Sequence, residues 1–141
     1  MKKLKRSFQV LQMFMNGKKT FAVEYAGKVV GSLGIEIYRE DHYPQLAQLR
    51  GREIGYALAK DCWGKGLMTE AVQAMLKHGF GNLGLDRISV TVNPDNDKSL
   101  NVIRKCGFTY EGTLRQAFLV YDGSVRDIMC FSISREEYYG K

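Results

Sequence analysis

The spacing of hydrophobic residues along this chain is typical of β-strands in some segments and of α-helices in others. This pattern predicts an alternating α/β order. Short segments rich in β-branched and aromatic residues, bounded by turn residues, predict strands. These strands are expected at residues 20–25, 29–38, a segment that ends near 58, 87–92, 108–119 and 125–133. Ala26-Gly27-Lys28 and Tyr121-Asp122-Gly123-Ser124 each separate two of these segments, and both sequences are typical of hairpin turns.

The clearest helical pattern begins at Leu67. Its polar face carries Glu70, Gln73 and Lys77. The opposite stripe is apolar and comprises Leu67, Met68, Ala71, Val72, Met75, Leu76 and Phe80. We therefore expect an amphipathic helix that packs this stripe against a sheet.

Two further helices and one long loop are predicted. Asn96 is a favoured N-cap residue, and Gly107 follows the last apolar position of the helix that Asn96 would begin. Another helix is predicted over residues 4–16, with Asn16-Gly17 at its end. Residues 39–51 have mixed polarity and are expected to form a loop.

Composition is that of an ordinary globular protein. With 141 residues, the chain is expected to form one domain over residues 1–141 with a single core. No apolar run reaches the length of a membrane span, and the N-terminus lacks the apolar stretch of a secretory signal. Cys62, Cys106 and Cys130 show no ligand spacing with the histidines, so we expect reduced thiols and no metal site. These features favour a cytoplasmic protein without a membrane partner.

The connection between the strand ending near Leu58 and the helix at Leu67 contains Gly64-Lys65-Gly66. A glycine turn from a strand into a helix makes an anion site, because the first helical N–H groups are free and the helix dipole adds partial positive charge. Lys65 adds a full charge beside it. A lone Gly-x-Gly also fits an ordinary turn, so the surrounding motifs decide between the two interpretations.

Four ordered motifs supply that context, namely Ile54-Gly55-Tyr56, Trp63-Gly64-Lys65-Gly66, Asn96-Asp97-Lys98-Ser99 and Gly107-Phe108. Their order and separations resemble the GNAT superfamily of N-acetyltransferases, in particular the branch of the ribosomal-protein N-terminal (alanine/serine) acetyltransferases. The resemblance covers roughly residue 20 to the C-terminus. It implies a mixed, mostly antiparallel sheet with a splayed central strand pair and flanking helices. The family's first strand and helix are expected to be missing, which would make this an N-terminally shortened acetyltransferase domain.

The resemblance further implies that acetyl-coenzyme A is the cosubstrate and that no metal takes part. Backbone groups near Tyr56, Ala57 and Leu58 would hold the pantetheine arm, and Asn93 and Asn96 would contact the same arm. The N–H groups expected to bind the pyrophosphate belong to Trp63, Gly64, Lys65, Gly66, Leu67 and Met68.

Acetyl transfer to an amine requires a group that deprotonates the amine and a group that assists the leaving thiolate. Many relatives place a tyrosine where this chain has Ile103, so the resemblance makes Ser99 the candidate that bonds or protonates the coenzyme sulfur. Glu53 is our first candidate for the general base. The other carboxylates considered are Glu36, Glu111 and Asp127.

Two functional hypotheses follow. The first is an acetyl-coenzyme A-dependent N-acetyltransferase that acts by direct transfer on the primary amine of a protein N-terminus or a small molecule. The alternative is a coenzyme A-binding or nucleic-acid-associated module with little or no turnover. The net charge of +6 is compatible with binding of either coenzyme A or nucleic acid, since both are polyanions. The basic residues form no recognisable nucleic-acid module, which disfavours nucleic acid.

The loop at 39–51 is expected to border the acceptor site and to be mobile. The acceptor's identity and the presence of a homodimer are left open.

Overall fold

A single β-sheet organises the part of the chain that the structure describes. The computed structural model describes residues 2–4, 8–15, 18–37 and 50–140, and within these ranges eight β-strands form one sheet. The strands are β1 (Lys2–Leu4), β2 (Phe8–Met15), β3 (Lys18–Tyr25), β4 (Lys28–Ile37), β5 (Gly51–Leu58), β6 (Arg87–Val92), β7 (Thr109–Leu119) and β8 (Val125–Ser134).

Helices follow three of these strands. They are α1 (Leu67–Lys77) after β5, α2 (Asp97–Lys105) after β6 and α3 (Arg135–Gly140) after β8. A 3-10 turn (Lys60–Cys62) precedes α1, and a π-helical turn (His78–Asn82) continues it. None of the helices in the described ranges is long and apolar enough to span a bilayer.

The spatial order of the strands is β1-β2-β3-β4-β5-β6-β8-β7. Neighbours from β1 to β5 are antiparallel, and β8 lies antiparallel between β6 and β7. The β5–β6 pair is parallel, which requires a crossover connection, and α1 provides it. The sheet is therefore mixed and mostly antiparallel, as expected from the resemblance.

Most predicted elements are confirmed. Strands β3 to β8 lie at the expected positions, and both predicted hairpins form. α1 begins at Leu67, and α2 follows Asn96 and ends before Gly107, whose positive φ of 85° suits a helix terminus. The short helix α3 was not predicted.

The predicted helix over residues 4–16 is wrong, because most of this segment belongs to strand β2. Its apolar residues fit a helical period as well as a strand period, so the sequence pattern alone does not separate the two. Every residue of β2 pairs with β3 in antiparallel register, and this ladder hydrogen-bonds the facing backbone edges of the two strands. The predicted helix end at Asn16-Gly17 lies outside the described residues.

The core lies between one face of the sheet and the helices α1 and α2. All seven apolar residues of the stripe predicted from Leu67 to Phe80 are buried. On the sheet, β6 and β8 align buried side chains in register, as in the pairs Ile88↔Ile133 and Val90↔Phe131. This shared face fixes where α1 and α2 sit relative to β5 and β6.

α3 closes one end of this core through Phe80. The ring of Tyr138 stacks on Phe80 with 4.9 Å between centroids, and Arg135 Nη1 donates a hydrogen bond to the Phe80 carbonyl at 2.7 Å. α3 therefore holds the π-helical turn that carries Phe80 through two contacts, one to the ring and one to the backbone.

The predicted loop at 39–51 falls mostly outside the described residues, so its mobility and its place beside an acceptor stay predictions. Its last residues are described. Arg50 forms an ion pair with Asp86 at 3.3 Å and its carbonyl accepts the Asp86 N–H at 2.7 Å, while Gly51 already begins β5.

Removing the Phe80 ring should strongly destabilise the fold. Phe80 is fully buried and stacks on Tyr138, so Phe80→Ala is expected to lower the free energy of unfolding by about 3–5 kcal/mol, through lost burial and a residual cavity. Tyr121 is fully exposed, and Tyr121→Ala is the matched control, with a change within about 0.5 kcal/mol. Urea unfolding followed by circular dichroism measures both, and similar losses in the two variants would contradict this account of the core.

Candidate active site

Strands β5 and β6 diverge soon after they meet. Their parallel ladder has three residue pairs and ends at Glu53↔Ser89. β5 then continues to Leu58 and β6 to Val92 without further pairing between them. The two strand ends enclose a wedge-shaped gap, and the splayed pair expected from the resemblance is confirmed.

The outer neighbours hold both sides of this gap. β4 pairs with β5 as far as Gly31↔Leu58, and β8 pairs with β6 as far as Val92↔Met129. Neither strand can swing across the gap without breaking its outer ladder. The inner backbone edges of β5 and β6 consequently face the gap, where an extended ligand can hydrogen-bond to them.

The turn between β5 and α1 depends on two glycines with a left-handed backbone. Gly64 has φ 77° and Gly66 has φ 74°, a region in which residues with a side chain are strained. Among the described residues, and apart from its two chain neighbours, no atom lies within 4 Å of the position that a Cβ on Gly64 would take. The backbone conformation therefore favours glycine at position 64, and the open space where a Cβ would stand leaves room for a ligand.

The first turn of α1 presents N–H groups beside these glycines. The first intrahelical bond runs from the Glu70 N–H to the Gly66 carbonyl at 3.1 Å. The N–H groups of Leu67, Met68 and Thr69 therefore have no acceptor within the helix. Because the side chains of Leu67 and Met68 are buried in the core, the direction of these N–H groups is fixed. This is the geometry that the sequence predicted for an anion site.

Two lysines flank the turn. Lys65 lies within it, and Lys98 projects from the first turn of α2 with its Nζ 5.6 Å from the centroid of the Trp63 ring. Trp63 Nε1 donates to the Leu58 carbonyl at 2.9 Å, which fixes the ring at the end of β5. Lys98 was not among the predicted site residues, because only the docking of α2 beside the turn brings it there.

A hydroxyl pair joins β5 to α2. The Tyr56 hydroxyl lies 2.6 Å from Ser99 Oγ, although the two residues are 43 positions apart. Asn96 Oδ1 accepts the Ser99 N–H at 3.1 Å, which confirms Asn96 as the cap of α2. Ile103 is buried and supplies no hydroxyl. The sequence predicts a role only for the backbone of Tyr56, and the structure adds this side-chain contact.

The two asparagines predicted to contact the pantetheine arm lie where β6 leads into α2. Asn93 Oδ1 accepts the Asp95 N–H at 2.9 Å, and the Asn93 carbonyl accepts the Asn96 N–H at the same distance. Their side-chain oxygens thus shape the connection itself. Contact with a ligand stays a prediction for both residues.

This geometry can be compared with known proteins. The family model described as the acetyltransferase (GNAT) domain matches residues 3–109, which is more than half of the chain. The chain belongs to the GNAT acetyltransferase family. The splayed strands, the glycine turn and the capped helix α2 are therefore the GNAT elements that the sequence motifs indicated.

Two curated GNAT relatives are similar over most of the chain. It is 35% identical over 119 residues to the uncharacterised N-acetyltransferase p20 of Bacillus licheniformis, an alignment that covers 84% of this chain and 62% of that protein. It is 28% identical over 121 residues to the spermidine N(1)-acetyltransferase of Escherichia coli strain K12, covering 86% of this chain and 61% of that protein. The chain thus spans just under two thirds of the length of these relatives.

Solved GNAT structures agree with the fold. RimJ of Mycobacterium smegmatis, solved in complex with CoA-disulfide, has a TM-score of 0.74 and 35% identity and is covered over 55% of its length by 86% of this chain. The ribosomal-protein-S5-alanine acetyltransferase of Vibrio fischeri has a TM-score of 0.74 and 26% identity, with 86% of this chain and 63% of that chain covered. These similarities support the branch that the motifs indicated.

Glu53, the candidate general base, sits at the apex of the splay. It belongs to the last pair of the parallel ladder and is half-buried, and its cross-strand neighbour on β4 is Glu36. Strand alternation puts the side chain of Glu53 on the sheet face opposite Ile54 and Tyr56. Glu53 and the Ser99 hydroxyl therefore approach the splay from opposite faces. The catalytic role of Glu53 stays a prediction.

Two other carboxylates considered as bases have structural partners. Arg87 hydrogen-bonds to Glu111 at 2.5 Å and holds the pKa of that carboxyl below its ordinary value, so Glu111 is a poor proton acceptor. Asp127 Oδ1 accepts the N–H of Gln116 at 2.9 Å, and Gln116 has a positive φ of 50° at the irregularity in β7. Both contacts favour structural roles over catalysis.

The Cys106 thiol should react slowly with alkylating reagents. Burial raises its pKa from 9.0 to about 11, and at pH 8 this lowers the thiolate fraction by about a hundredfold. We expect the rate of iodoacetamide modification, followed by mass spectrometry of the Cys106 peptide, to keep rising with pH beyond pH 9. Unfolding in urea should restore the rate of an ordinary thiol, and equal rates at pH 8 in folded and unfolded protein would contradict the raised pKa.

Proposed function

We propose that this chain is the catalytic part of an acetyl-coenzyme A-dependent N-acetyltransferase, which moves an acetyl group directly to a primary amine. The observation that carries the proposal is the β5–β6 splay, with the glycine turn and the N-terminus of α1 at its open end. Such a gap accepts an extended amide-bearing arm, and the turn accepts the phosphates to which that arm is attached.

The pantetheine arm binds along the inner edge of β5. Backbone groups of Tyr56, Ala57 and Leu58 are proposed as its partners, because no strand in the described part of the chain pairs with that edge of β5 beyond Glu53. Asn93 and Asn96 approach the arm from the end of β6. The alternating N–H and carbonyl groups of an open strand edge suit the two amides of pantetheine.

The pyrophosphate binds at the turn formed by residues 63–68. Its negative charge is stabilised by the N–H groups of Leu67 and Met68, by the dipole of α1 and by Lys65. Lys98 adds a second cation from α2, near enough to Trp63 to act on the same ligand. The solved RimJ complex with CoA-disulfide supports this choice of ligand.

In the proposed reaction the amine nitrogen attacks the thioester carbonyl. A C–N bond forms, the C–S bond breaks, and the sulfur leaves as a thiolate. Ser99 hydrogen-bonds to the leaving sulfur, and Glu53 takes the proton that the amine loses, directly or through a water molecule. Holding both reactants in the gap supplies much of the rate enhancement, because the attack then becomes effectively intramolecular.

The acceptor is proposed to be a protein N-terminus or a small amine. The Vibrio fischeri and Escherichia coli relatives are named for a ribosomal-protein alanine and for spermidine, respectively, and both acceptors present primary amines. The described cysteines are thiols rather than disulfides, which is typical of a reducing compartment and supports the proposed cytoplasmic location.

An acetylation screen tests the function directly. Acetyl-coenzyme A is mixed with alanine- and serine-initiated peptides or with spermidine, and release of the coenzyme thiol is measured together with the mass of the product. Turnover with either class supports the proposal. Tight binding of coenzyme A without turnover on any primary amine would instead favour the non-catalytic coenzyme A-binding alternative.

Gly66→Val should abolish coenzyme A binding, because it forces a β-branched residue into a left-handed backbone at the proposed pyrophosphate site. Gly27 offers a matched control. It has a similar φ of 79° in an exposed hairpin turn with no atom near its missing Cβ, so Gly27→Val carries the same backbone strain far from the site. Isothermal titration calorimetry should show lost affinity for Gly66→Val and unchanged affinity for Gly27→Val. Unchanged affinity in a folded Gly66→Val variant would overturn the assignment of the turn.

Ser99→Ala should lower kcat by about tenfold to a hundredfold and leave the KM for the amine nearly unchanged, since the hydroxyl acts on the leaving sulfur. Steady-state kinetics with the acceptor found in the screen provides the measurement. A rise in KM for the amine at constant kcat would place Ser99 in the acceptor site instead.

A further inference from the structure

The Tyr56–Ser99 contact crosses the mouth of the splay. Tyr56 lies on β5 beyond the last parallel pair, whereas Ser99 lies on α2, which follows the end of β6. Their hydroxyl oxygens are 2.6 Å apart. One hydroxyl thus comes from β5 and the other from the helix that follows β6, and the pair they form connects the two sides of the gap.

The phenol of Tyr56 is suited to donate in this pair. Its side chain packs against the core, and burial raises its pKa above the ordinary value, so the phenol keeps its proton at neutral pH. Its hydroxyl also lies 3.4 Å from the Ser99 carbonyl, an oxygen that can only accept. Both oxygens of Ser99 near the phenol can therefore serve as acceptors for its single proton.

The donor direction matters because a serine hydroxyl has only one hydrogen. If Ser99 donated to Tyr56, it would have no hydrogen left for another acceptor. When Tyr56 donates to Ser99 Oγ, the Ser99 hydrogen is free to point elsewhere, and the incoming bond polarises it towards a stronger donor. The cap bond from the Ser99 N–H to Asn96 meanwhile fixes the backbone that carries the hydroxyl.

We propose that Tyr56 is a positioning residue, which donates its hydrogen bond to Ser99 Oγ and thereby directs the Ser99 hydrogen to the coenzyme sulfur. The inference rests on the proposed function, because it assumes that coenzyme A occupies the splay. Tyr56 does not exchange its own proton in the reaction, and Ser99 remains the group that touches the sulfur.

Tyr110 provides a matched control within the same chain. Its hydroxyl lies 2.6 Å from Thr113 Oγ1, so it forms a hydroxyl pair of the same length. Tyr110 is exposed on β7, outside the splay. Tyr110→Phe removes an equivalent hydroxyl and reports the cost of losing such a pair where no coenzyme is proposed to bind.

The test compares coenzyme A with desulfo-coenzyme A, which lacks the sulfur atom. Calorimetry with the wild-type chain, Tyr56→Phe, Ser99→Ala and Tyr110→Phe gives the affinity of each ligand. We expect Tyr56→Phe to weaken coenzyme A binding by about threefold to tenfold, the range of one hydrogen bond, and to leave desulfo-coenzyme A binding unchanged. Ser99→Ala should give the same pattern, the double variant should lose no more than either single variant, and Tyr110→Phe should change neither affinity.

A kinetic measurement separates positioning from simple stabilisation. With an active acceptor, Tyr56→Phe should lower kcat by about tenfold with little change in the KM for the amine, whereas a purely structural role would leave kcat per folded molecule unchanged. Equal weakening of both ligands by Tyr56→Phe, or equal wild-type affinity for the two ligands, would overturn the inference while the proposed coenzyme A site stands. A wild-type chain that binds neither ligand would overturn the proposed function and this inference with it.

Discussion

The short parallel ladder between β5 and β6 is the constraint on which the candidate site depends. Three residue pairs hold the strands together at one end, while β4 and β8 hold their outer edges along the remaining length. A β-ladder normally extends until one strand ends, because unpaired backbone groups are costly to bury. Here the ladder stops early, and the resulting gap keeps two strand edges available for a ligand backbone.

The helices convert this gap into a polarised site. α1 follows β5 and brings its free N–H groups to the open end, and α2 follows β6 and brings Lys98 and Ser99 to the same region. The apolar core beneath both helices fixes their positions, since α1 and α2 bury their stripes against the same sheet face. The groups proposed to bind phosphate and sulfur therefore lie at two helix N-termini, and a single core orients both helices.

Local sequence patterns predicted the elements that are stabilised by local interactions. The stripe of α1, the Asn96 cap and the Gly64-Lys65-Gly66 turn can be identified from spacing, because helix periodicity, capping and positive-φ glycines act over a few residues. Segment 4–16 was predicted wrongly for the complementary reason. Its apolar residues fit both the helical period and the strand period. The segment forms a strand because it pairs with β3, which is a non-local interaction.

The sequence by itself therefore determined the family, the order of most strands and helices and the turn proposed to bind phosphate, because ordered motifs and short-range periodicity encode them. Only the tertiary structure decided which side chains meet across the splay. Tyr56 and Ser99 are 43 positions apart, and Lys98 reaches Trp63 only because α2 packs beside α1. It also gave Glu111 of β7 a partner on β6, across the intervening β8, and Asp127 of β8 a partner on the neighbouring β7. Such contacts depend on strand order and on helix packing against a common core, which no local pattern in the sequence specifies.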